Sequence, residues 1–388
     1  MLKSLKTFKK NKSPGNDGLP AEFYMVFWNK IGDMYFDSIC EGMEKGELST
    51  TQKQTLIRLI GKKDRDKQQL KNWRPLNMIN CDVKIFTKAL TLRALPCLTN
   101  IIHPNQTAYV KGRFIGEGIK TIEGVIDYIK ENKLDAYILA IDFEKAFDSL
   151  EWGFLWSTLK AFGFPDFYIN CIKTVYTDIK TCVINGSTTS SFFQVTRSAR
   201  QGDPLSAIIF IIALEVLLIK IRHNKDVRGL KIGEVEIKLS AYADDLTNFL
   251  ADSRSVEALF RELNDFSRYS GLRCNADKTE AMKLGRSNID HGNGEIRFVN
   301  AMKVTGIYFS FDPIIQYEKK YTGIIEKIQN LIKIWKQRDI SLLGRVQVAK
   351  TYIFSQVRFV TNFVEPSQAF LNEFKSIVIN YIWNDSEK

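Results

Sequence analysis

Three aspartates stand at positions where their carboxylates could act together. Asp142 ends the apolar run at residues 137–141, and Asp244 and Asp245 form an adjacent pair between two apolar segments. An acidic residue at a strand end is commonly a turn or cap residue, but an Asp pair with apolar residues on both sides is harder to explain in that way. Carboxylates at the ends of buried strands repel one another unless a cation is bound. Their oxygens are the ligands that Mg²⁺ prefers, and two such ions about 3.5–4 Å apart can activate a hydroxyl nucleophile and stabilise a leaving pyrophosphate.

The residues around these aspartates predict the elements that would position them. The continuous apolar run before Asp142 is typical of a strand buried on both faces. Alternating apolar and polar residues from 235 to 240 predict a half-buried strand that leads into Tyr242-Ala243-Asp244-Asp245, and apolar residues resume at Leu246. We therefore expect a hairpin with the two aspartates at its tip.

Further patterns surround this hairpin with helices and strands. An apolar segment predicts a buried helix over 205–221, Gly271 closes a second helix over 255–270, and a strand is expected over 280–284. The resulting order of strand, helix, hairpin, helix and strand is the split βαβ arrangement, which indicates an α+β fold. The other predicted elements are a helix over 20–39, strands over 56–60 and 73–79, a helix over 82–98, a strand around 303–309 and a helical, basic end from about 317.

The charge balance favours a polyanionic partner. The chain of 388 residues has a formal net charge of +11 and a sequence pI of about 9.2. Residues 53–74 contain eight basic and two acidic residues, and residues 319–350 contain the same numbers. Two separated basic blocks are typical of a protein that holds a nucleic acid strand from two sides, although charge alone would also fit a merely basic enzyme.

Several classes of protein do not fit the sequence. The six cysteines are too far apart for a zinc knuckle or a redox pair, and the three histidines do not cluster with them. We expect reduced, mostly buried thiols in an intracellular protein. The first twelve residues are too basic for a signal peptide, and the longest apolar stretch, 205–221, is too short for a membrane span and is interrupted by Glu215.

Six motifs, taken together and in order, identify a family. They are KSPGNDGLPAEFY at 12–24, NWRPL at 72–76, NQTAYVKGR at 105–113, DFEKAFD at 142–148, RQGDPLS at 200–206 and YADD at 242–245. With them the chain closely resembles, over nearly its whole length, the reverse transcriptases of non-LTR retrotransposons of the long interspersed element type. VTGI at 304–307 resembles the family's primer-grip strand, and LLGR at 342–345 resembles part of its thumb.

The resemblance implies a right-hand polymerase architecture with fingers, a ferredoxin-like palm and a helical thumb. We expect an N-terminal fingers extension at 1–40, a reverse transcriptase domain of fingers and palm at 41–315, and a helical thumb or connection region at 316–388. The family's longer proteins usually carry an endonuclease before this region and a cysteine-rich segment after it. Because neither is present in these 388 residues, we expect the chain to be a fragment or the product of a truncated element.

The resemblance also implies roles for individual residues. Asp142, Asp244 and Asp245 would be catalytic and would bind metal together with the backbone carbonyl of Phe143. Phe147 would be a bulky gate under the incoming sugar, although ordinary core packing would also account for it. The other residues expected to contact the dNTP or the template–primer are Lys62, Arg74, Gln201, Gly202 and Lys278.

The expected function is RNA-directed DNA polymerisation, in which a primer 3′-hydroxyl is extended with dNTPs on an RNA template by two Mg²⁺ ions, with Mn²⁺ as a substitute. The implied partners are an RNA template, a DNA primer and dNTPs, with no membrane. The alternatives are a catalytically inactive, RNA-binding remnant of such an element and a group II intron-type reverse transcriptase. An RNA-dependent RNA polymerase is a further alternative, against which Phe147 and Ala243 argue. Family resemblance places the protein in the cytoplasm and the nucleus.

Overall fold

A five-stranded sheet carries the predicted hairpin. The structure, a computed structural model, describes residues 1–62, 66–285, 296–321 and 323–384. The strands of this sheet follow one another in space in the order Arg297–Phe298, Glu280–Leu284, Ala136–Ile141, Asp245–Leu250 and Leu239–Tyr242. The four longer strands are antiparallel to their neighbours, and their spatial order is that of a split βαβ unit. The predicted α+β class and ferredoxin-like palm are confirmed.

The central strand Ala136–Ile141 is apolar throughout because each face of the sheet is covered. Tyr137, Leu139 and Ile141 face one hydrophobic core, and Ala136 and Ile138 face a second. This alternation follows from the two-residue period of a strand, so a strand covered on both sides has no polar face.

Different helices fill the two cores. Trp152–Ala161, Ser206–His223 and Ser253–Ser270 contribute apolar side chains to the first core. Ile115–Glu131 packs against the other face of the sheet and shares the second core with the strands Ala301–Val304 and Ile307–Ser310. Within the described residues, no helix is long and apolar enough to span a membrane. Ser206–His223, which contains most of the longest apolar stretch, is a buried core helix as predicted.

A second sheet lies in the predicted fingers. The two strands expected over 56–60 and 73–79 are present as Gln54–Gly61 and Trp73–Met78, and they form an antiparallel hairpin. Lys180–Asn185 joins the free edge of Gln54–Gly61 in parallel, and Thr188–Thr189 and Phe193–Gln194 pair with it. The sequence analysis did not identify these three strands. Residues 63–65 of the intervening basic loop lie outside the described part of the chain.

The C-terminal helices have a core of their own. Their buried side chains, from Tyr321 to Tyr381, form a cluster separate from the two palm cores. The helix Ala21–Lys45 instead packs on the first core through Tyr24, Tyr35 and Ile39. It runs through residue 40, and Pro313–Tyr321 runs through residue 316, so both expected domain boundaries fall within helices. The boundaries themselves stay predictions.

Two predicted strands are each divided in the structure. The segment 235–240 contributes Val235–Ile237 to a small hairpin with Leu230–Ile232, while Leu239–Tyr242 belongs to the palm sheet. Between them Lys238 is buried, and its Nζ donates hydrogen bonds to the carbonyls of Arg222 and Asn224 at 3.0 and 2.8 Å. The expected strand around 303–309 is a hairpin, because Thr305 and Gly306 adopt φ of 47° and 90°.

The remaining elements connect these units. The other α-helices are Leu2–Leu5, Thr50–Lys53, Cys81–Ile101, Ala146–Ser149, Asp166–Tyr176, Ile324–Lys336, Leu342–Val348, Phe354–Thr361 and Gln368–Trp383. A 3₁₀ helix covers Leu70–Asn72 and a π-helix covers Ala349–Ile353.

Candidate active site

The palm sheet brings the three predicted aspartates to one end of two paired strands. Ile141 is paired with Leu246, so Asp142 and Asp245 stand at the next step of the same antiparallel register. Asp245 also pairs with Tyr242 across the hairpin, which leaves Ala243 and Asp244 as its two-residue tip. The hairpin predicted from the sequence is therefore confirmed, and its tip lies beside the end of the strand that precedes Asp142.

The carboxylates interact electrostatically. Burial raises the pKa of Asp244, and the charge of Asp142 raises it further. Desolvation, followed by repulsion from Asp244 and Asp142, raises the pKa of Asp245 to about 6, although part of this side chain reaches the surface. The three groups thus form one acidic cluster that favours a bound cation.

Lys278 joins this cluster. The turn that carries it is fixed to the end of the central strand, because the amide of Asn275 donates to the Asp142 carbonyl at 2.7 Å and the amide of Asp142 donates to Thr279 Oγ1 at 3.4 Å. Lys278 Nζ lies 3.1 Å from Asp142 Oδ2. The structure therefore places Lys278 beside the predicted metal ligands.

The turn of the RQGDPLS motif packs against the fingers. Gly202 has φ of 102°, and a Cβ at this residue would lie 2.7 Å from the carbonyl oxygen of Asn77. Behind the turn, the buried Arg200 pairs with Asp203 at 3.0 Å and lies over the ring of Tyr176. The close neighbour of Gly202 is thus the backbone of the strand Trp73–Met78, and the expected contact of Gln201 and Gly202 with the dNTP or the template–primer stays a prediction.

Phe147 is half-buried, and its ring stacks on Phe210 with centroids 4.4 Å apart. Its carbonyl accepts a hydrogen bond from the amide of Ala199 at 2.5 Å, which ties the DFEKAFD segment to the approach of the RQGDPLS turn. Core packing therefore accounts for one side of the ring. Its predicted role as a sugar gate stays a prediction. Phe143 is buried and forms an isolated bridge with Cys274.

Lys62 and Arg74 lie on the fingers hairpin. Arg74 is exposed and stands opposite Ile60, whose side chain is also exposed. Lys62 directly follows Gly61, the last residue of the strand, and is half-buried. The amide of Lys62 donates to the Asn72 carbonyl at 2.8 Å, which holds the end of the hairpin together.

A polar groove of about 540 Å³ lies where the 301–310 hairpin meets the C-terminal helices. Its lining includes the exposed lysines Lys303, Lys319 and Lys327 and the backbone of Gly306. The sequence analysis noted the basic block at 319–350 but not this groove, because Lys303 joins it only through the fold. Lys320 of the same block is buried beside Phe309.

The carboxylates of the three aspartates suit a divalent cation that is held partly by the protein and partly by a bound substrate. Within the described residues, no three His, Cys, Asp or Glu side chains are grouped so as to hold a metal ion by themselves. Mg²⁺ in phosphoryl-transfer sites is commonly held by one or two carboxylates together with substrate phosphates and water. The hard oxygens of Asp142, Asp244 and Asp245 fit such a site, and the raised pKa values of Asp244 and Asp245 show that negative charge is crowded there.

The sequence matches a known family over most of its length. Residues 60–344 match the family described as "Reverse transcriptase (RNA-dependent DNA polymerase)". The chain is 29% identical over 392 residues to the Transposon TX1 uncharacterized 149 kDa protein of Xenopus laevis, covering 99% of this chain and 30% of that protein. It is also 29% identical over 175 residues to the Pol polyprotein of the type-2 retrotransposable element R2DM of Drosophila melanogaster, covering 45% of this chain and 16% of that protein. The chain thus spans less than a third of the length of these relatives.

Solved structures of telomerase are also similar. Candida tropicalis telomerase in complex with a TWJ fragment of telomeric RNA has a TM-score of 0.49 at 12% identity, over 94% of this chain and 62% of that one. The apo form truncated from the C-terminal domain has a TM-score of 0.48 at 13% identity, over 77% and 61%.

Proposed function

The chain belongs to the reverse transcriptase family, and we propose that it is an RNA-directed DNA polymerase that extends a primer 3′-hydroxyl with dNTPs on an RNA template. Membership in this family, together with the observed α+β elements, confirms the right-hand polymerase architecture. The relatives from TX1 and R2 elements confirm the predicted resemblance to non-LTR retrotransposon proteins. The observation that carries the proposal is the pairing of Ile141 with Leu246, because it brings Asp142 beside the Asp244–Asp245 tip.

Members of this family use divalent metal ions, and we propose two Mg²⁺ ions here, for which Mn²⁺ would substitute. Asp142 and Asp244 would be the main ligands, assisted by Asp245 and by the backbone carbonyl of Phe143. When bound, the ions would favour the deprotonated primer hydroxyl and stabilise the leaving pyrophosphate. The ions would relieve the repulsion among the carboxylates of the acidic cluster, and this relief would favour their binding.

The remaining site residues would hold the nucleotide. Lys62 and Arg74 lie near the loop end of the fingers hairpin, where a point charge and a forked guanidinium would suit phosphate oxygens. Lys278 would pass from Asp142 to the pyrophosphate as negative charge develops there. Gln201 and Gly202 would line the nascent base pair, and the exposed part of Phe147 would meet the sugar.

RNA and primer binding would rest on phosphate contacts from both basic blocks. The groove with Lys303, Lys319 and Lys327 offers three exposed ammonium groups on the C-terminal side of the palm. Binding through such contacts weakens with salt by about 0.7–0.9 in log Kd per phosphate and per log unit of salt concentration. Lys319→Glu should therefore reduce the salt slope of template–primer binding by about 1, whereas Lys225→Glu, in an exposed loop, should leave it unchanged. By family resemblance we also propose assembly with RNA in the cytoplasm and DNA synthesis in the nucleus.

Primer extension on an RNA template with dNTPs and Mg²⁺ tests the proposal. The wild-type chain should extend the primer, Asp244→Ala and Asp244→Asn should not, and Asp226→Asn, in an exposed loop, should behave as the wild type. A second reaction with NTPs in place of dNTPs tests the sugar preference. Salt-sensitive RNA binding without extension by any variant would contradict polymerase activity and support the inactive, RNA-binding remnant.

A further inference from the structure

Gln106 is a fully buried glutamine whose side chain holds the tip of the aspartate hairpin. Its Oε1 accepts hydrogen bonds from the amides of Ala243 at 2.9 Å and Ala108 at 3.0 Å, and its Nε2 donates to the Ala243 carbonyl at 3.2 Å. The orientation of the amide group is determined by these partners, because two backbone N–H groups can face only the side-chain oxygen. One side chain therefore satisfies both polar backbone groups of the residue that precedes Asp244.

Ala243 needs such a partner for two reasons. It belongs to the two-residue tip between the paired residues Tyr242 and Asp245, so its backbone groups lie outside the strand ladder. It is also 5% exposed and has φ of 55°, a left-handed conformation that is unfavourable for a residue with a Cβ. A buried backbone group without a partner is costly, and strained backbone persists only where its surroundings hold it.

Gln106 is itself firmly supported. The segment around it runs beside the strand Leu239–Tyr242: the Thr107 amide donates to the Ala241 carbonyl at 2.9 Å, and the Ala241 amide donates to the Asn105 carbonyl at 2.8 Å. Behind it, the guanidinium of Arg113 donates to the Gln106 carbonyl at 2.7 Å and to the carbonyls of His103 and Ile102 at 2.7 and 2.6 Å. The glutamine is thus fixed on both sides before it reaches the hairpin.

We propose that Gln106 is a positioning residue for catalysis: it fixes the backbone of Ala243 and thereby sets the direction in which Asp244 presents its carboxylate. Asp244 follows Ala243 directly, so a change in the Ala243 dihedrals displaces its side chain. The inference rests on the proposed function for its catalytic consequence, but the hold on the hairpin can be measured without any reaction.

Three variants test this role. Gln106→Met keeps the length of the side chain and removes all three hydrogen bonds. Gln106→Glu keeps an acceptor for the Ala243 amide but, when ionised, turns a carboxylate oxygen toward the Ala243 carbonyl. Gln52→Ala is the control, because Gln52 is also buried and bonded to the backbone, through the Ser49 amide, but belongs to a helix start in the fingers.

The first measurement is hydrogen exchange, by mass spectrometry, of the peptide that covers residues 239–246, without metal or substrate. Gln106→Met should increase exchange at the hairpin tip by at least about tenfold. Gln106→Glu should also increase exchange there, and this increase should become smaller as the pH is lowered, because the protonated carboxyl group can donate a hydrogen bond to the Ala243 carbonyl. Gln52→Ala should leave this peptide unchanged and affect its own helix instead. Unchanged exchange at the tip in folded Gln106→Met, or an equal increase in Gln52→Ala, would refute the positioning role.

The second measurement is steady-state primer extension. Gln106→Met should lower kcat by about 10–100-fold, because a small misplacement of a catalytic group has effects of this size, while the Kd for template–primer stays within about twofold. A loss confined to KM or to template–primer affinity would contradict the proposal. If the wild-type chain itself extends no primer, the proposed function fails, and the exchange experiment still decides whether Gln106 holds the hairpin.

Discussion

Lys278 Nζ lies 3.1 Å from Oδ2 of Asp142. Asp142 follows the C-terminal end of the strand Ala136–Ile141, and Lys278 precedes the N-terminal end of its antiparallel neighbour Glu280–Leu284, so the two groups meet at the candidate site and form an ion pair. The side chains are 59% and 40% exposed, and an ion pair with that much solvent contact contributes little to stability. Another cation can therefore replace Lys278 at Asp142 at little cost in stability. A cation that binds Oδ2 of Asp142 would compete with Lys278 for that oxygen.

Replacing Lys278 with methionine separates two roles of its ammonium group: competition with metal ions for Asp142 and an action on the leaving pyrophosphate. Lys278→Met should lower the Mg²⁺ concentration for half-maximal activity, because Asp142 loses a competing cation. It should also lower kcat by about 100-fold if the ammonium group protonates or stabilises the leaving pyrophosphate. Both quantities come from primer extension at varied Mg²⁺. Lys160→Met is the control, because Lys160 pairs with Asp166 at 3.6 Å on an exposed surface; equal behaviour of the two variants would exclude both roles.

Phe147→Val should relax the choice between dNTPs and NTPs. Replacing the ring with the smaller valine side chain should raise the kcat/KM for NTPs relative to that for dNTPs by about 10–100-fold, the range by which pocket size alone discriminates substrates. It should also lower the free energy of unfolding, since the ring stacks on Phe210. Phe210→Leu, measured by the same competition assay and by urea unfolding, should lose stability while keeping the sugar preference. A parallel change of preference in both variants would mean that Phe147 acts only through core packing.

Gly202→Ala should disturb the contact between the RQGDPLS turn and the fingers. The new Cβ would lie 2.7 Å from the carbonyl oxygen of Asn77, and the alanine would have to adopt the φ of 102° that Gly202 has, which is unfavourable for a residue with a Cβ. We expect a loss of about 2–3 kcal/mol in the free energy of unfolding, with a lower kcat/KM for dNTPs. Gly186→Ala has a positive φ of 62° but no neighbouring atom within 4 Å, so it should cost only about 1 kcal/mol. Urea unfolding of both variants measures the difference; similar losses would show that the Asn77 contact is unimportant.

Asp82→Asn should change how stability depends on pH. Burial raises the pKa of Asp82 from its usual 3.8 to about 6, so the folded chain favours the protonated carboxyl group. Its contribution to the free energy of unfolding is therefore greatest below pH 3.8, falls as the pH rises through about 6 and is constant above that. The variant lacks this loss, so between pH 4.5 and 7.5 it should gain about 2 kcal/mol on the wild type. Asp37→Asn, at an exposed residue, should run parallel to the wild type in urea unfolding across this range; a parallel course for Asp82→Asn would contradict the prediction.

Much of the fold and of the site could be predicted because its signals are local. A continuous apolar run indicates a strand covered on both faces, and Ala136–Ile141 is such a strand. A polar tip between two apolar segments indicates a hairpin, and Asp244 and Asp245 lie on one. Antiparallel order then requires Asp142 to meet that tip. Where local pattern was insufficient, as in the divided segments 235–240 and 303–309, a buried lysine or positive φ residues interrupted the strand.

The periodicity and the order of elements in the sequence therefore determined the strands of the palm, the two strands over 56–60 and 73–79 and the residues of the acidic cluster. Only the tertiary structure decided which distant backbone groups each side chain meets. The side chain of Gln106 bonds to Ala243, 137 residues away in the chain, and Gly202 in the RQGDPLS turn approaches Asn77 of the strand Trp73–Met78. Periodicity describes which face a residue occupies. It holds no information on hydrogen-bond partners or close approaches that arise only when separate elements pack together.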